Sequence, residues 1–150
     1  MITPELRGEL HDLNARFAWA LDTHDYEALR SILMPDVHYL SVGREFHDAE
    51  SVIASFRART GTRTTRHGLG NLLLAEADDG AVTARSSWHT FASNEAAPVG
   101  VDVFMVADFA DVYRRDSAGW RIAERIITAV FREPALAPGA PPRPPQRSLP

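Results

Sequence analysis

Apolar positions along the chain change period part-way through it. Leu6, Leu10, Leu13, Phe17 and Leu21 recur at spacings of four and three. One stripe of a helix at residues 4–21 is the pattern this predicts. Asp25 is a natural N-cap, with Glu27 in the first turn of a short second helix carrying Tyr26, Leu29, Ile32 and Leu33. Pro35 stops that helix, and residues 37–42 read as a strand turned back by Gly43-Arg44. A third helix starts at Asp48 or Ser51, carries Val52, Ile53 and Phe56, and ends before Gly61. Beyond it the apolar positions alternate. Strands are predicted at 66–77, 81–92, 101–113 and 120–131, with turns at Asp78-Asp79-Gly80 and at residues 116–119. Helices followed by an antiparallel meander indicate an α+β fold, with the helices packed on one face of a curved sheet. The order excludes alternating βαβ units, and with them a dinucleotide-binding fold of that kind.

Composition sharpens the boundaries. The length of 150 residues fits one domain, and seven of the 10 prolines fall between Pro134 and Pro150. The chain therefore divides into a body, 1–133, and a Pro-rich tail, 134–150, expected to be extended or disordered. There is no Cys, which removes disulfides, Cys-ligated metals and thiol nucleophiles. All 16 basic residues are Arg, so no lysine Schiff base is available. A net charge of −4 argues against a nucleic-acid partner. No apolar run approaches the roughly 20 residues that span a bilayer. The first residues lack the basic and apolar regions of a signal peptide, so a cytoplasmic location and no membrane partner are expected.

Candidate chemistry is then narrow. The sequence holds no Gly-rich phosphate loop, nucleophile elbow or zinc-binding helix motif, and its six His show no familiar ligand spacing. No metal is expected, and acid–base work by His, Asp, Glu and Tyr remains. His67 stands in Thr65-Arg66-His67-Gly68-Leu69-Gly70-Asn71, and strand alternation puts it on one face with Leu69, Asn71 and Leu73. It is either a satisfied core histidine or a catalytic group. Asp22 closes the first helix, where the dipole raises a carboxyl pKa and a cationic His nearby lowers it. It is either a polar residue of the turn or part of a site. Because it lies off the Leu stripe, beside Ala15, Ala18 and Trp19, it reaches a cavity only if the helix is buried on two sides. One face of the 81–92 strand carries Val82, Ala84, Ser86, Trp88 and Thr90, and the other carries Arg85 and His89. In the next strand Val101, Val103, Met105, Ala107 and Phe109 form an apolar face that continues to Asp111. Asp111 and Arg125 lie on strands joined by one turn and are expected to form a structural salt bridge.

These elements together resemble the SnoaL-like branch of the nuclear-transport-factor-2-like superfamily. The resemblance rests on Phe17 to Asp22 with Asp25-Tyr26 and Leu29, on Thr65 to Asn71, on Asp111-Val112-Tyr113 and on Gly119 to Ile122. It covers about Leu6 to Arg132. It implies a cone formed by a bent sheet around an apolar pocket, and often a homodimer. Scytalone-dehydratase-like members carry an Asp at the end of the first helix and a His on the strand after the third. Asp22 and His67 match those positions, which implies a catalytic pair. Leu21 stands where scytalone dehydratase has a Tyr. Its second Tyr falls near Ser41, with Tyr39 close by, and its second His falls near Ser86, with His89 three residues on. The full dehydratase set is thus absent. The expectation is a cofactor-free acid–base enzyme, a dehydratase, cyclase or isomerase. Its substrate is expected to be a hydrophobic oxygenated small molecule such as a polyketide or terpenoid. In that reading His67 and Asp22 are catalytic, while Tyr39, Ser86, Asn71, Trp88, Phe109 and Met105 contact substrate. The alternative is a non-catalytic ligand-binding or dioxygenase-β-subunit-like assembly module.

Overall fold

A computed structural model describes residues 1–59, 61–97 and 100–141. The first helix, α1 (Pro4–Asp22), opens with Thr3 as N-cap, whose hydroxyl accepts from the Leu6 N–H, and with Pro4 at the first helical position. Leu10, Leu13 and Phe17 of its apolar stripe are fully buried. The Asp25 side chain caps α2 (Tyr26–Ile32) by accepting from the Ala28 N–H, and Asp48 caps α3 (Ala49–Arg57) through the Ser51 N–H.

Pro35 does not end a helix but lies inside the first strand, β1 (Leu33–Ser41), which starts earlier than the Pro signal suggests. The strand register slips between Leu33 and His38, so the missing Pro N–H falls where pairing is irregular. Val42 and Gly43 both take positive φ, 49° and 82°, and turn the chain into β2 (Arg44–Phe46). For Gly43 that conformation is free of strain. For β-branched Val42 it is strained. Four long strands follow: β3 (Thr64–Glu76), β4 (Val82–Ser93), β5 (Val103–Asp116) and β6 (Gly119–Arg132).

The six strands form one curved, unclosed sheet in the order β2-β1-β6-β5-β4-β3. Only the β1–β6 pair is parallel among the described strands. The three helices pack against the concave face, giving the α+β cone that the resemblance implies. Among the described residues no helix is long and apolar enough to cross a membrane.

Two irregularities decide which side chains face inward. In β3 the register shifts between Leu69 and Leu72, a β-bulge that reverses the alternation. Before it Thr65, His67 and Leu69 point inward. After it Leu72 and Leu74 do, and Leu73 is 69% exposed. In β5 Phe91 pairs with Val103 and Thr90 with Met105, so Phe104 is the extra residue. Val103 is turned to the outside, while Phe104 is buried. Val101 lies before the strand and is exposed.

The Pro-rich segment does not leave the body at once. Residues 134–136 make one 3-10 turn. The Leu136 carbonyl then accepts from Arg63 Nη1 (2.8 Å), and the Ala137 carbonyl accepts from Asn94 Nδ2 (2.9 Å). The rest of the expected extended tail, 142–150, lies outside the described residues.

Candidate active site

The end of α1 and the start of β3 build the centre of the site. The Thr23 N–H and hydroxyl both donate to the Trp19 carbonyl, and His24 takes a left-handed φ of 56°. The helix therefore stops with Asp22 turned toward β3. Thr65 Oγ1 donates to Asp22 Oδ1 (2.8 Å), the His67 backbone N–H donates to Oδ2 (3.0 Å), and His67 Nδ1 lies 2.6 Å from Oδ1. The Asp22 side chain is 3% exposed and that of His67 is 17% exposed. Burial alone would raise the Asp22 carboxyl, but hydrogen bonds and charge from His67, with the Thr65 hydroxyl, hold it below the usual range. The helix-dipole expectation of a raised value is thus reversed, because three donors converge on one carboxylate.

An ionised carboxylate only accepts hydrogen bonds, so His67 Nδ1 carries the proton shared with Asp22. Neutral His67 then has a bare Nε2. The ring lines an open-mouthed cavity of about 550 Å³ to which α1, α3 and all six strands contribute. Phe17, Phe56, Phe104, Phe109, Met105 and Ile127 supply its apolar wall. Tyr39, Thr90 and Ser41 add hydroxyls. Burial pushes the Tyr39 phenol up to about 12, so it is a hydrogen-bond donor at neutral pH. A second cavity of about 210 Å³ adjoins the first at Leu21, Thr65 and His67.

A family model for the SnoaL-like domain matches residues 3–126. The chain belongs to the SnoaL-like family. No functionally curated protein matches it in sequence. Among solved structures it is similar to ActVI-ORFA from Streptomyces coelicolor, with a TM-score of 0.74 and 20% identity, covering 84% of this chain and 98% of that one. It is also similar to Aln2 from another Streptomyces species, with a TM-score of 0.76 and 24% identity, covering 85% and 92%. A Catenulispora acidiphila protein in complex with S-DNPA gives a TM-score of 0.74 and 23% identity, covering 85% and 95%. At these identities the structural likeness shows the fold.

Within this SnoaL-like cone the expected site residues separate into two groups. Asp22 and His67 meet, and His67, Tyr39, Met105 and Phe109 line the cavity. Asn71, Ser86 and Trp88 do not line it. Asn71 lies within the β3 bulge, is exposed, and donates its N–H to Ser87 Oγ. Ser86 faces inward but accepts the Trp88 indole N–H at 2.9 Å. Trp88 stands behind the cavity wall, stacked on Phe109 at 4.9 Å and edge-on to Phe17 at 6.2 Å. It holds two lining rings in place without touching the space they enclose. His89 is on the outer face, where its ring covers Gly68 so closely that a Cβ there would sit 2.1 Å from Nε2.

Asp111 and Arg125 form the expected salt bridge, and it is fully buried. Arg125 Nε and Nη2 donate to the two Asp111 oxygens at 2.8 and 2.7 Å, and Nη2 also donates to Asn14 Oδ1 at 2.6 Å. Tyr113 OH donates to Asp111, and Asn14 Nδ2 donates to Tyr113 OH.

Four arginines that the sequence pattern does not single out, Arg44, Arg59, Arg63 and Arg132, also line the cavity. Three Arg within residues 57–63 were the available signal, but charges at the end of a helix ordinarily mark a solvated face. One group of described residues has spacing suited to a metal ion: His38, Glu45 and His47. None of the three lines the cavity. His38 is already hydrogen-bonded to Glu124 and Glu45, both at 2.8 Å, and those bonds raise its pKa.

Proposed function

We propose that the protein is a cofactor-free acid–base enzyme, a dehydratase, cyclase or isomerase acting on a hydrophobic oxygenated small molecule. One observation carries this reading: Asp22 holds Nδ1 of His67 in a buried hydrogen bond, and the same imidazole lines a cavity walled in part by phenylalanine rings. His67 Nε2 removes a proton next to a carbonyl, or activates a water. Asp22 fixes the tautomer and stabilises the imidazolium that forms. Tyr39 donates to the enolate oxygen as charge develops there. Phe17, Phe109 and Met105 hold the apolar body. Such a step moves a proton and needs no electron or group carrier. Family membership supports the reading, and so does the likeness to a fold solved in complex with S-DNPA.

The neutral ketone 2-tetralone is a suitable reporter of proton removal. Exchange of its α-protons in D₂O, followed by NMR, should run faster with wild-type protein than in buffer. His67→Asn should return the rate to background, since a positioned base supplies about 10²–10⁴-fold. Equal exchange in wild type and His67→Asn would remove the acid–base role and leave a ligand-holding domain.

A further inference from the structure

The charge of the cavity wall is lopsided. Among the described residues that line it are Arg44, Arg59, Arg63 and Arg132, and no Asp or Glu. The nearest acid of the site, Asp22, stands behind His67 and is occupied by three donors. Elsewhere Arg30, Arg57, Arg114, Arg121 and Arg125 form ion pairs, while Arg7, Arg16, Arg66, Arg85 and Arg115 form none among the described residues and are exposed away from the cavity. The four cavity arginines form none among the described residues. Their guanidinium groups rest on the rings of the wall instead. Arg63 lies 5.1 Å and Arg132 5.9 Å from the centre of the Phe104 ring, Arg59 is 4.5 Å from Phe56, and Arg44 is 5.4 Å from Phe46.

Arg63 is the most committed of them. Its Nη1 donates to two neutral oxygens, Asn94 Oδ1 at 2.7 Å and the Leu136 carbonyl at 2.8 Å, while its Nε is buried with no partner among the described residues. Arg59 lines both cavities beside it and makes no ion pair among the described residues. Burial first, and then the neighbouring Arg59 charge, push Arg63 down to about 10. Arg63 is partly buried with the exposed Arg59 charge beside it, and an anion shared between them would offset both the burial of Arg63 and the like-charge repulsion.

We infer that the ligand of this cavity is an organic anion, an aromatic carboxylic acid whose carboxylate is taken by Arg59 and Arg63 while its rings lie against Phe17, Phe104 and Phe109. Arg44 and Arg132 add to the positive field around that position. The inference rests on the reading of the cavity as the ligand site and adds the charge of the ligand. Planar guanidinium groups suit a carboxylate, and such charge-assisted hydrogen bonds are about twice as strong as neutral ones. With the carboxylate fixed, the rest of the molecule is presented to His67.

The test compares 2-naphthoate with 2-naphthamide, a neutral molecule of nearly the same shape, by calorimetric titration at pH 7. Wild type should bind naphthoate at least about tenfold more tightly than the amide. Added salt should narrow that gap. Arg63→Gln and, separately, Arg59→Gln should weaken naphthoate about tenfold and leave the amide unchanged. Among the described residues the Arg59 side chain makes no hydrogen bond, so its variant answers even if Arg63→Gln unfolds. Equal affinity for the two probes, binding of neither, or unchanged naphthoate affinity in Arg59→Gln overturns the inference. His67→Asn should keep the preference for naphthoate. A missing preference alongside His67-dependent exchange of 2-tetralone defeats the anion alone. A clear preference alongside His67-independent exchange defeats the acid–base reading alone.

Discussion

Asp22 and Asp111 each hold a nitrogen base in a buried hydrogen bond, Asp22 to His67 at 2.6 Å and Asp111 to Arg125 at 2.7 and 2.8 Å. Their surroundings differ in every respect that matters for chemistry. Arg125 and Asp111 are sealed, with Phe17 at 4.2 Å and Phe109 at 5.0 Å from the guanidinium, and with Asn14 and Tyr113 closing the network. A guanidinium so placed keeps its proton. Burial works against its charge, and Asp111 more than restores it, so the Arg125 pKa lies above even the ordinary arginine value. The His67 pair has the same kind of carboxylate anchor, but its base is an imidazole, which can give up and take back a proton, and it lines open space. A carboxylate–base pair serves the fold when its partner cannot give up a proton and meets no solvent. It serves chemistry when the far nitrogen is left bare beside a cavity.

The largest effect that can break this contrast is on stability. Asp111→Ala leaves the Arg125 charge buried and unpaired, and loss of one partner of such a pair costs about 3–5 kcal/mol. Urea unfolding should show that loss, and a variant as stable as wild type would show that the network is not structural. Next comes His67→Asn, expected to lose about 10²–10⁴-fold in base-promoted exchange. Its urea midpoint should stay far nearer to wild type than that of Asp111→Ala. A smaller effect separates the pairs by pH. The folded Asp22 carboxyl titrates below its unfolded value, so its stabilisation is present above about pH 3.9 and fades as pH falls through the lower folded value. The melting-temperature gap between wild type and Asp22→Asn should therefore close in acid, and a gap that widens there would reverse the sign. The smallest effect is at Asn71. Because it lies outside the cavity, Asn71→Ala should leave exchange unchanged, and a clear loss would place it in the site after all.

Much of this arrangement was legible in the residues. The Leu stripe, the Asp25 cap and the Asp78-Asp79-Gly80 turn led to the right elements in the right order. Asp22 and His67 were each legible only as candidates with a bland reading beside the functional one, and the resemblance to scytalone-dehydratase-like members was what made them a pair. Asn71 was misplaced because strict alternation carries no trace of a bulge, and Gly68 and Gly70 flanking Leu69 were the one hint that β3 breaks phase there. Ser86 and Trp88 were assigned to the correct face but the wrong depth. A face has no depth in sequence, and the rings of Phe17 and Phe109 stand in front of Trp88. The arginines of the cavity were passed over since a charge in a turn or at the end of an element reads as solvated, and only the fold brings Arg44, Arg59, Arg63 and Arg132 to the wall of one cavity.

The central claim is that neutral His67 keeps its proton on Nδ1, toward Asp22, and offers a bare Nε2 to the cavity. Long-range proton–nitrogen NMR correlation on protein labelled with ¹⁵N-histidine reads that tautomer directly on the neutral ring. The account predicts a protonated Nδ1 and an unprotonated Nε2 for His67, with the preference weakened in Asp22→Asn. A His67 protonated on Nε2 with a bare Nδ1 would contradict it.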